Sequence, residues 1–308
     1  MKESVALHRF SRQAMGTIFD LQLAHPDRAY AASAAVEIFR LVERVEQLLS
    51  RYIANSDIRR ISALKVGEST RVSWETFQCL QQCRELYYRS GGVFDVTIGA
   101  LYQLWLNEDK TLRQPSADDL KAARRRVGFE HLVLDETDFT VTMAGGPVTL
   151  DLGGFGKGFA LDLAVELLAD WEIDVYMLNA GQSSLRFGAP SSDGWYITLS
   201  DPFHGYRPFR ELSPQHTAIS GSGLQKGRHI IDPRFARPVE NRRAAWSIHP
   251  SAAFADGWST AFMMLNLKEI RAACRENPGL GAIVLFSGHE PLEERLFSYG
   301  FDGAGRRE

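Results

Sequence analysis

The sequence is short of the features that would place it in several special classes. It has only three cysteines among 308 residues, too few for a disulfide framework. Cys79 and Cys83 sit four apart in a helical pattern and Cys274 is far away, so they read as reduced thiols, not zinc ligands. Excess charge of one sign is also missing: 35 Lys and Arg stand against 38 Asp and Glu, a formal net of −3. A nucleic-acid partner is therefore not expected, and Arg124-Arg125-Arg126 reads as a solvated helix face. No apolar run approaches the ~20 residues that span a bilayer, which argues against membrane insertion. The opening MKESVALHRFSRQAMG lacks an apolar stretch of signal-peptide length and a lipidation-type Cys. The expectation is a cytoplasmic location. No repeat, low-complexity tract or clean linker divides the chain.

What remains is ordinary globular composition, 44% apolar and 24% charged, long enough for one large domain over 1–308 or two interleaved lobes. A strand pair is expected over Phe10–Leu23, around Met15-Gly16-Thr17. A long helix is expected over Arg28–Leu49, from Ile38, Leu41, Val42, Val45, Leu48 and Leu49 at helical spacing. Asn55–Leu64 reads as polar and irregular. Ser73 caps a second helix to about Arg89, with Glu75 in its first turn. Ser116 with Asp119 opens another, ending near Gly128. Short strands follow at His131–Leu134, Phe139–Met143, Val175–Leu178, Leu185–Gly188, Trp195–Leu199 and Thr217–Ser220. Two more strands and a Gly/Arg tail are expected over Leu280–Glu308.

The stretch Val148–Leu168, VTLDLGGFGKGFALDLAVELL, is central. It reads as a strand, a break at Gly153-Gly154, and then an amphipathic helix. Unpaired N–H groups at such a turn suit phosphate, and Lys157 adds a point charge. The spacing is neither a Walker A loop nor a dinucleotide fingerprint. A tight turn without a ligand is the competing account.

Four other places carry chemistry, each with a plain alternative. Tyr52 is either buried packing or a stacking surface for a planar ligand. Asp95 and Thr97 put a carboxylate and a hydroxyl on one side of an extended segment, or else Asp95 closes a local turn. Ser220-Gly221-Ser222-Gly223 reads as a hydroxyl-rich turn, followed by His229, a side chain suited to moving protons or contacting phosphate, or else a strand-end His beside an Asx turn at Asp232. Asp256 and Thr260 share one helix face and suit a hard cation, unless Asp256 is the helix cap.

Taken in order, these pieces resemble the FAD:protein FMN transferases of the ApbE type, from about Met15 to Leu267. Met15-Gly16-Thr17 is similar to the family's MGT, Ser50-Arg51-Tyr52 to its S-x-Y, and Gly92 to Gly99 to its G-x-FD-x-T-x-G. Asp151–Asp162 resembles DLGGIAKGYAVD, His229–Arg234 resembles HIIDPR, and Ala255–Ala261 resembles AD-x-x-STA. Ser220-Gly221 resembles the family's SG.

The resemblance implies an α+β fold with mixed, largely antiparallel sheets, surrounding helices and a ligand cleft between lobes. It implies transfer of FMN from FAD to a Thr of an acceptor protein, with Mg²⁺ and release of AMP. By the same resemblance Asp256, Thr260 and a backbone carbonyl at Gly156 hold the metal. Lys157, His229 and Asp256 carry catalysis. Met15, Gly16, Tyr52, Asp95, Thr97, Lys157, Asp162, Gly181, Ser220, Gly221 and His229 hold or shape the dinucleotide site.

The chain departs from the pattern at several points. Gly156 replaces the loop Ala, Gln182 follows Gly181 where a second Gly is common, and Ile61-Ser62 stands where the early Asn is expected. Leu224 lies where an aromatic is usual, and Ala236 replaces a Gly. A backbone ligand survives the change at Gly156, and the departures together bear on flavin contacts and target recognition more than on the metal site, which keeps two alternatives open: a flavin-binding protein with weak transfer, and a FAD pyrophosphatase.

Overall fold

The computed structural model describes residues 5–107, 109, 111–191, 194–225 and 227–301; the Gly/Arg tail lies outside them. β1 (Leu7–Ala14) and β2 (Thr17–Ala24) form a hairpin with Ala14 opposite Thr17. Its two turn residues, Met15 and Gly16, have φ of 49° and 68°, the geometry that suits the twist of a two-residue hairpin. α1 (Arg28–Leu49) starts at Asp27, whose carboxylate accepts from the amides of Ala29 and Tyr30. Its buried stripe of Ala31, Ala34, Ile38, Val42 and Val45 follows the helical period.

A smaller layer follows. It contains α2 (Asp57–Ser62), β3 (Ser69–Arg71), α3 (Trp74–Arg89), α4 (Gly99–Trp105), α5 (Ala117–Arg124), β4 (Leu132–Asp135) and β5 (Thr140–Met143). β3, β5 and β4 make an antiparallel three-stranded sheet in that order. Local capping works as the sequence indicates. Ser73 Oγ accepts from Thr76 N at 3.2 Å, and Ser116 Oγ accepts from Asp119 N at 3.1 Å.

The second half supplies most of the main sheet. It runs through α6 (Gly156–Asp170), β6 (Tyr176–Ala180), β7 (Ser184–Phe187), β8 (Ile197–Asp201), β9 (Arg207–Leu212), β10 (Ala218–Gly223), β11 (Ile231–Asp232), β12 (Arg237–Pro238) and β13 (Arg242–His249). α7 (Ala252–Phe262), α8 (Leu267–Glu276), β14 (Gly281–Phe286), α9 (Leu292–Arg295) and β15 (Leu296–Tyr299) complete it. The eight-stranded sheet has the order β1-β2-β6-β7-β10-β13-β14-β15, and each ladder is antiparallel. The expected α+β class is found. Among the described residues, no helix is long and apolar enough to cross a membrane.

α7 is the helix the core closes on. It packs on α6, β10 and β13, with Trp258, Ala261 and Phe262 fully buried. Gly158 lets α6 and α7 touch, because a Cβ there would overlap the Ala252 carbonyl.

Several local expectations change. Val148–Leu152 is extended but has a single bridge, Thr149 to Ile98, and no ladder. Its amides are satisfied elsewhere: Asp151 N donates to the Val96 carbonyl and Leu150 N to Ser62 Oγ. α6 is buried over most of its circumference up to Ala164, not along one stripe, because α1 and α7 cover two sides. Part of the irregular segment forms α2, stabilised by buried Ile58 and Ile61 and by the Ser56 cap. Ser220 to Gly223 is no turn. It ends β10, pairing with Ser247 through Ala244 of β13. α7 is capped by Ser251, which leaves Asp256 in mid-helix.

Candidate active site

A cleft of ≈ 670 Å³ opens where these layers meet. Its walls are the β1–β2 turn, the chain after α1, the segment before α4, the bend 151–157, the turn after β6, the end of β10, the arm through His229 and one face of α7. Glycines 16, 153, 154, 156, 181, 221 and 223 line it, so backbone forms much of the wall. Met15 reaches it from a left-handed φ, a strained conformation for a non-glycine residue.

The bend is built by short-range hydrogen bonds. Asp151 Oδ1 accepts from Gly153 N at 2.8 Å, and the Leu152 carbonyl accepts from the amides of Phe155 and Gly156. These amides are therefore engaged within the protein, which leaves fewer for an anion than the glycine pattern suggests. The Lys157 ammonium, half-buried, adds a charged donor. It donates to the Gly153 carbonyl at 3.2 Å and to Asp256 Oδ2 at 3.3 Å. Asp256 is 2% exposed and also accepts from Gly158 N at 3.3 Å.

Thr260 lies one turn after Asp256 on the same cleft-facing side. Its hydroxyl is 3.0 Å from Ser222 Oγ, which is also 2.8 Å from Ser259 Oγ. Gly154 presses on this hydroxyl: a Cβ there would stand 2.9 Å from Thr260 Oγ1. The donors here are a carboxylate, a hydroxyl and backbone carbonyls. Among the described residues no cluster of three His, Cys, Asp or Glu could hold a metal alone. An oxygen set with one carboxylate fits Mg²⁺, which keeps waters and takes substrate phosphates as ligands. The Lys157 cation already bridges the carboxylate and the Gly153 carbonyl, so positive charge is accommodated there.

The other end of the cleft is aromatic. Arg51 lies 4.8 Å from the Tyr52 ring centroid and 4.3 Å from that of Tyr102. It pairs with Asp151 Oδ2 at 2.9 Å. Tyr52 is 79% exposed, which sets aside the buried-packing account and leaves its ring open to the cleft. Asp95 lines the same region, and its Oδ1 accepts from the amide and the hydroxyl of Thr97 at 2.8 and 2.6 Å. Burial pushes the Asp95 carboxyl up to about 6 against the pull of those bonds.

Both ends of α7 are held. Asp162 accepts from the Ser251 hydroxyl at 2.6 Å and from the amides of Ala252 and Ala253 at 2.8 and 2.9 Å. Burial nevertheless raises its carboxyl above the ordinary value. His249 Nδ1 accepts from Ser251 N at 3.0 Å, and burial lowers this imidazole to about 4. At the far end Arg242 donates to the Phe262 carbonyl, and Arg234 donates to that of Met264 at 2.8 Å.

Of the residues singled out from sequence, Met15, Gly16, Tyr52, Asp95, Gly156, Lys157, Gly181, Gly221, His229, Asp256 and Thr260 meet in the cleft. Thr97, Asp162 and Ser220 stand behind its wall. Thr97 donates to Asp95 and accepts from Gly128 N, Asp162 caps α7, and Ser220 is 1% exposed inside β10. Sequence reasoning gave no site role to Arg51, Asp151 or Tyr102, and noted Ser222 only within its hydroxyl-rich segment. Arg51 and Asp151 stood inside quoted motifs, but pairing across 100 positions has no local signal.

The ApbE family model matches residues 15–284. A Vibrio cholerae serotype O1 protein named FAD:protein FMN transferase is 28% identical over 283 residues, 87% of this chain and 84% of its own. The solved flavin transferase ApbE from Vibrio cholerae matches with TM-score 0.83 and 25% identity, over 96% of this chain and 97% of that one. The apo form of the Pseudomonas stutzeri flavinyl transferase ApbE matches with TM-score 0.84 and 24% identity, over 98% of each chain, a likeness of fold.

Proposed function

The chain belongs to the ApbE family, and from that membership we propose that it transfers FMN from FAD to a threonine hydroxyl of an acceptor protein, releasing AMP. The name carried by its Vibrio cholerae relative supports the reaction class. The observation that carries the reading in this chain is the Lys157–Asp256 pair beside Thr260, at the glycine-rich end of a cleft whose other end is aromatic.

The reaction is a phosphoryl transfer. The acceptor Oγ bonds to the phosphorus of the FMN half, the bridging P–O bond breaks, AMP departs with that bridging oxygen, and the hydroxyl proton is released. Charge accumulates on the pyrophosphate oxygens as this happens. In this reading Lys157 and His229, which both line the cleft, would meet those oxygens. Asp256, Thr260 and a bend carbonyl, at Gly156 by resemblance, would hold Mg²⁺. When bound, Mg²⁺ supplies charge neutralisation at the pyrophosphate. Tyr52 offers an open face to a ring of the dinucleotide, while Asp162 and Thr97 keep the walls in place. The three cysteines are buried and unpaired, which favours a reducing, cytoplasmic setting.

The test is purified protein with FAD and Mg²⁺, assayed for AMP with and without a flavin-acceptor domain. AMP only with the acceptor, and flavin covalently on its Thr, is expected. AMP without acceptor indicates a pyrophosphatase. Bound flavin with no AMP in either case indicates a binding protein. Either of these results overturns the proposal.

A further inference from the structure

We propose that Arg51 is a positioning residue that ties the aromatic wall of the cleft to its phosphate end. This deepens the transfer reading and rests on it.

The argument follows one line of contacts. Arg51 donates to the Tyr52 hydroxyl at 2.7 Å and lies over the rings of Tyr52 and Tyr102. Its other nitrogen meets Asp151 Oδ2 at 2.9 Å. The second oxygen of that carboxylate accepts from Gly153 N, and the Gly153 carbonyl accepts from Lys157, which reaches Asp256. The line therefore runs from the exposed Tyr52 ring to the buried Asp256 carboxylate without a gap. Arg51 is its branch point, with a side chain 18% exposed against 15% for Asp151. A screened surface pair contributes little; a partly buried one with a planar fork holds geometry.

Two independent features make Arg51 more than a generic salt bridge. Tyr52 sits in the loop between α1 and α2, where its exposed ring has few packing partners and the guanidinium supplies its anchor. The bend has no strand ladder before it, so Asp151 is held by its backbone bond to Val96 and by Arg51. Removing Arg51 takes the anchor from Tyr52 and leaves the Asp151 side chain with only its bond from Gly153 N. A ring settling on Tyr52 is then no longer in register with the groups facing the pyrophosphate.

The experiment compares Arg51→Gln, Arg51→Lys, Asp151→Asn, the double variant Arg51→Gln/Asp151→Asn and Tyr52→Ala. Steady-state FAD kinetics are measured with acceptor, together with hydrogen exchange of the bend amides in the ligand-free protein. Arg51→Gln is expected to lower kcat/KM by about 10- to 100-fold through both kcat and KM. Tyr52→Ala is expected to raise KM alone. Lys cannot span two rings and a carboxylate, so Arg51→Lys should restore little. The double variant should be no worse than the worse single one, since both break the same line.

Exchange at Gly153 and Gly156 should quicken in Arg51→Gln and in Asp151→Asn. Kinetic changes below about twofold or unchanged bend exchange in Arg51→Gln overturn the proposal. Should Arg51→Gln not fold, Arg51→Lys and Asp151→Asn decide by the same readings. Exchange needs no flavin, so a wild type that leaves FAD untouched sinks the transferase reading, and the Arg51 tether is still judged on its own.

Discussion

Lys157 and Asp256 lie 99 positions apart in the chain, yet the ammonium stands 3.3 Å from the carboxylate. The contact joins the first turn of α6 to the middle of α7. It brings the glycine bend and the Asp256–Thr260 face into one place, and the chemistry proposed for the cleft depends on it.

Removing that carboxylate should silence the metal response. Asp256→Ala leaves Lys157 without its carboxylate partner and deletes the acidic group proposed to hold Mg²⁺. Turnover should fall by about 10²- to 10³-fold, and AMP release should no longer rise with Mg²⁺. A variant that keeps the wild-type Mg²⁺ titration would rule out Asp256 as a ligand.

Two glycine substitutions should separate function from stability. Gly154→Ala puts a methyl 2.9 Å from Thr260 Oγ1 in a backbone conformation that alanine tolerates. It should weaken Mg²⁺-dependent turnover with little change in melting temperature. Gly158→Ala forces α6 away from the Ala252 carbonyl and should cost about 1–3 kcal/mol in chemical denaturation. Equal melting of the two variants would contradict this division.

Asp95 should make the protein less stable as pH rises through its titration. Its folded value is about 6 against an ordinary 3.8, so the folded state holds the proton that the unfolded state has lost. The loss between about pH 4 and 6 amounts to at most ~3 kcal/mol. Asp95→Asn should flatten that part of the stability profile in urea titrations. An unchanged slope would show that burial does not raise this carboxyl.

His249 should act in the opposite direction. Its folded value is about 4 against 6.5, so the unfolded state gains a proton first as pH falls. Stability present above about pH 6.5 is lost towards pH 4, up to ~3 kcal/mol. His249→Asn keeps an acceptor for Ser251 N but removes the titration. Its urea midpoint should fall less than that of wild type between pH 6.5 and 4; an equal fall would exclude His249 as the source.

Much of this molecule can be read from short-range pattern. α1 falls where its periodicity places it and α3 where its cap does, and Ser73 and Ser116 bond to amides three residues on. Such contacts need only the local chain, so residue type and spacing suffice. The ordered motifs likewise mark Lys157, His229, Asp256 and Thr260 before any coordinates are known.

Tertiary structure decided how the polar groups were divided. Asp162 and Thr97 belong to quoted motifs, yet they hold α7 and Asp95, while Arg51 and Asp151 face the cleft. Asp256 remains in mid-helix because Ser251 and Asp162 already satisfy the amides at the start of α7. A carboxylate has the same chemistry on a cap as in a cleft. Its role depends on which donors the antiparallel sheet and the close-packed α6 and α7 bring to it, and those donors come from distant stretches of the chain.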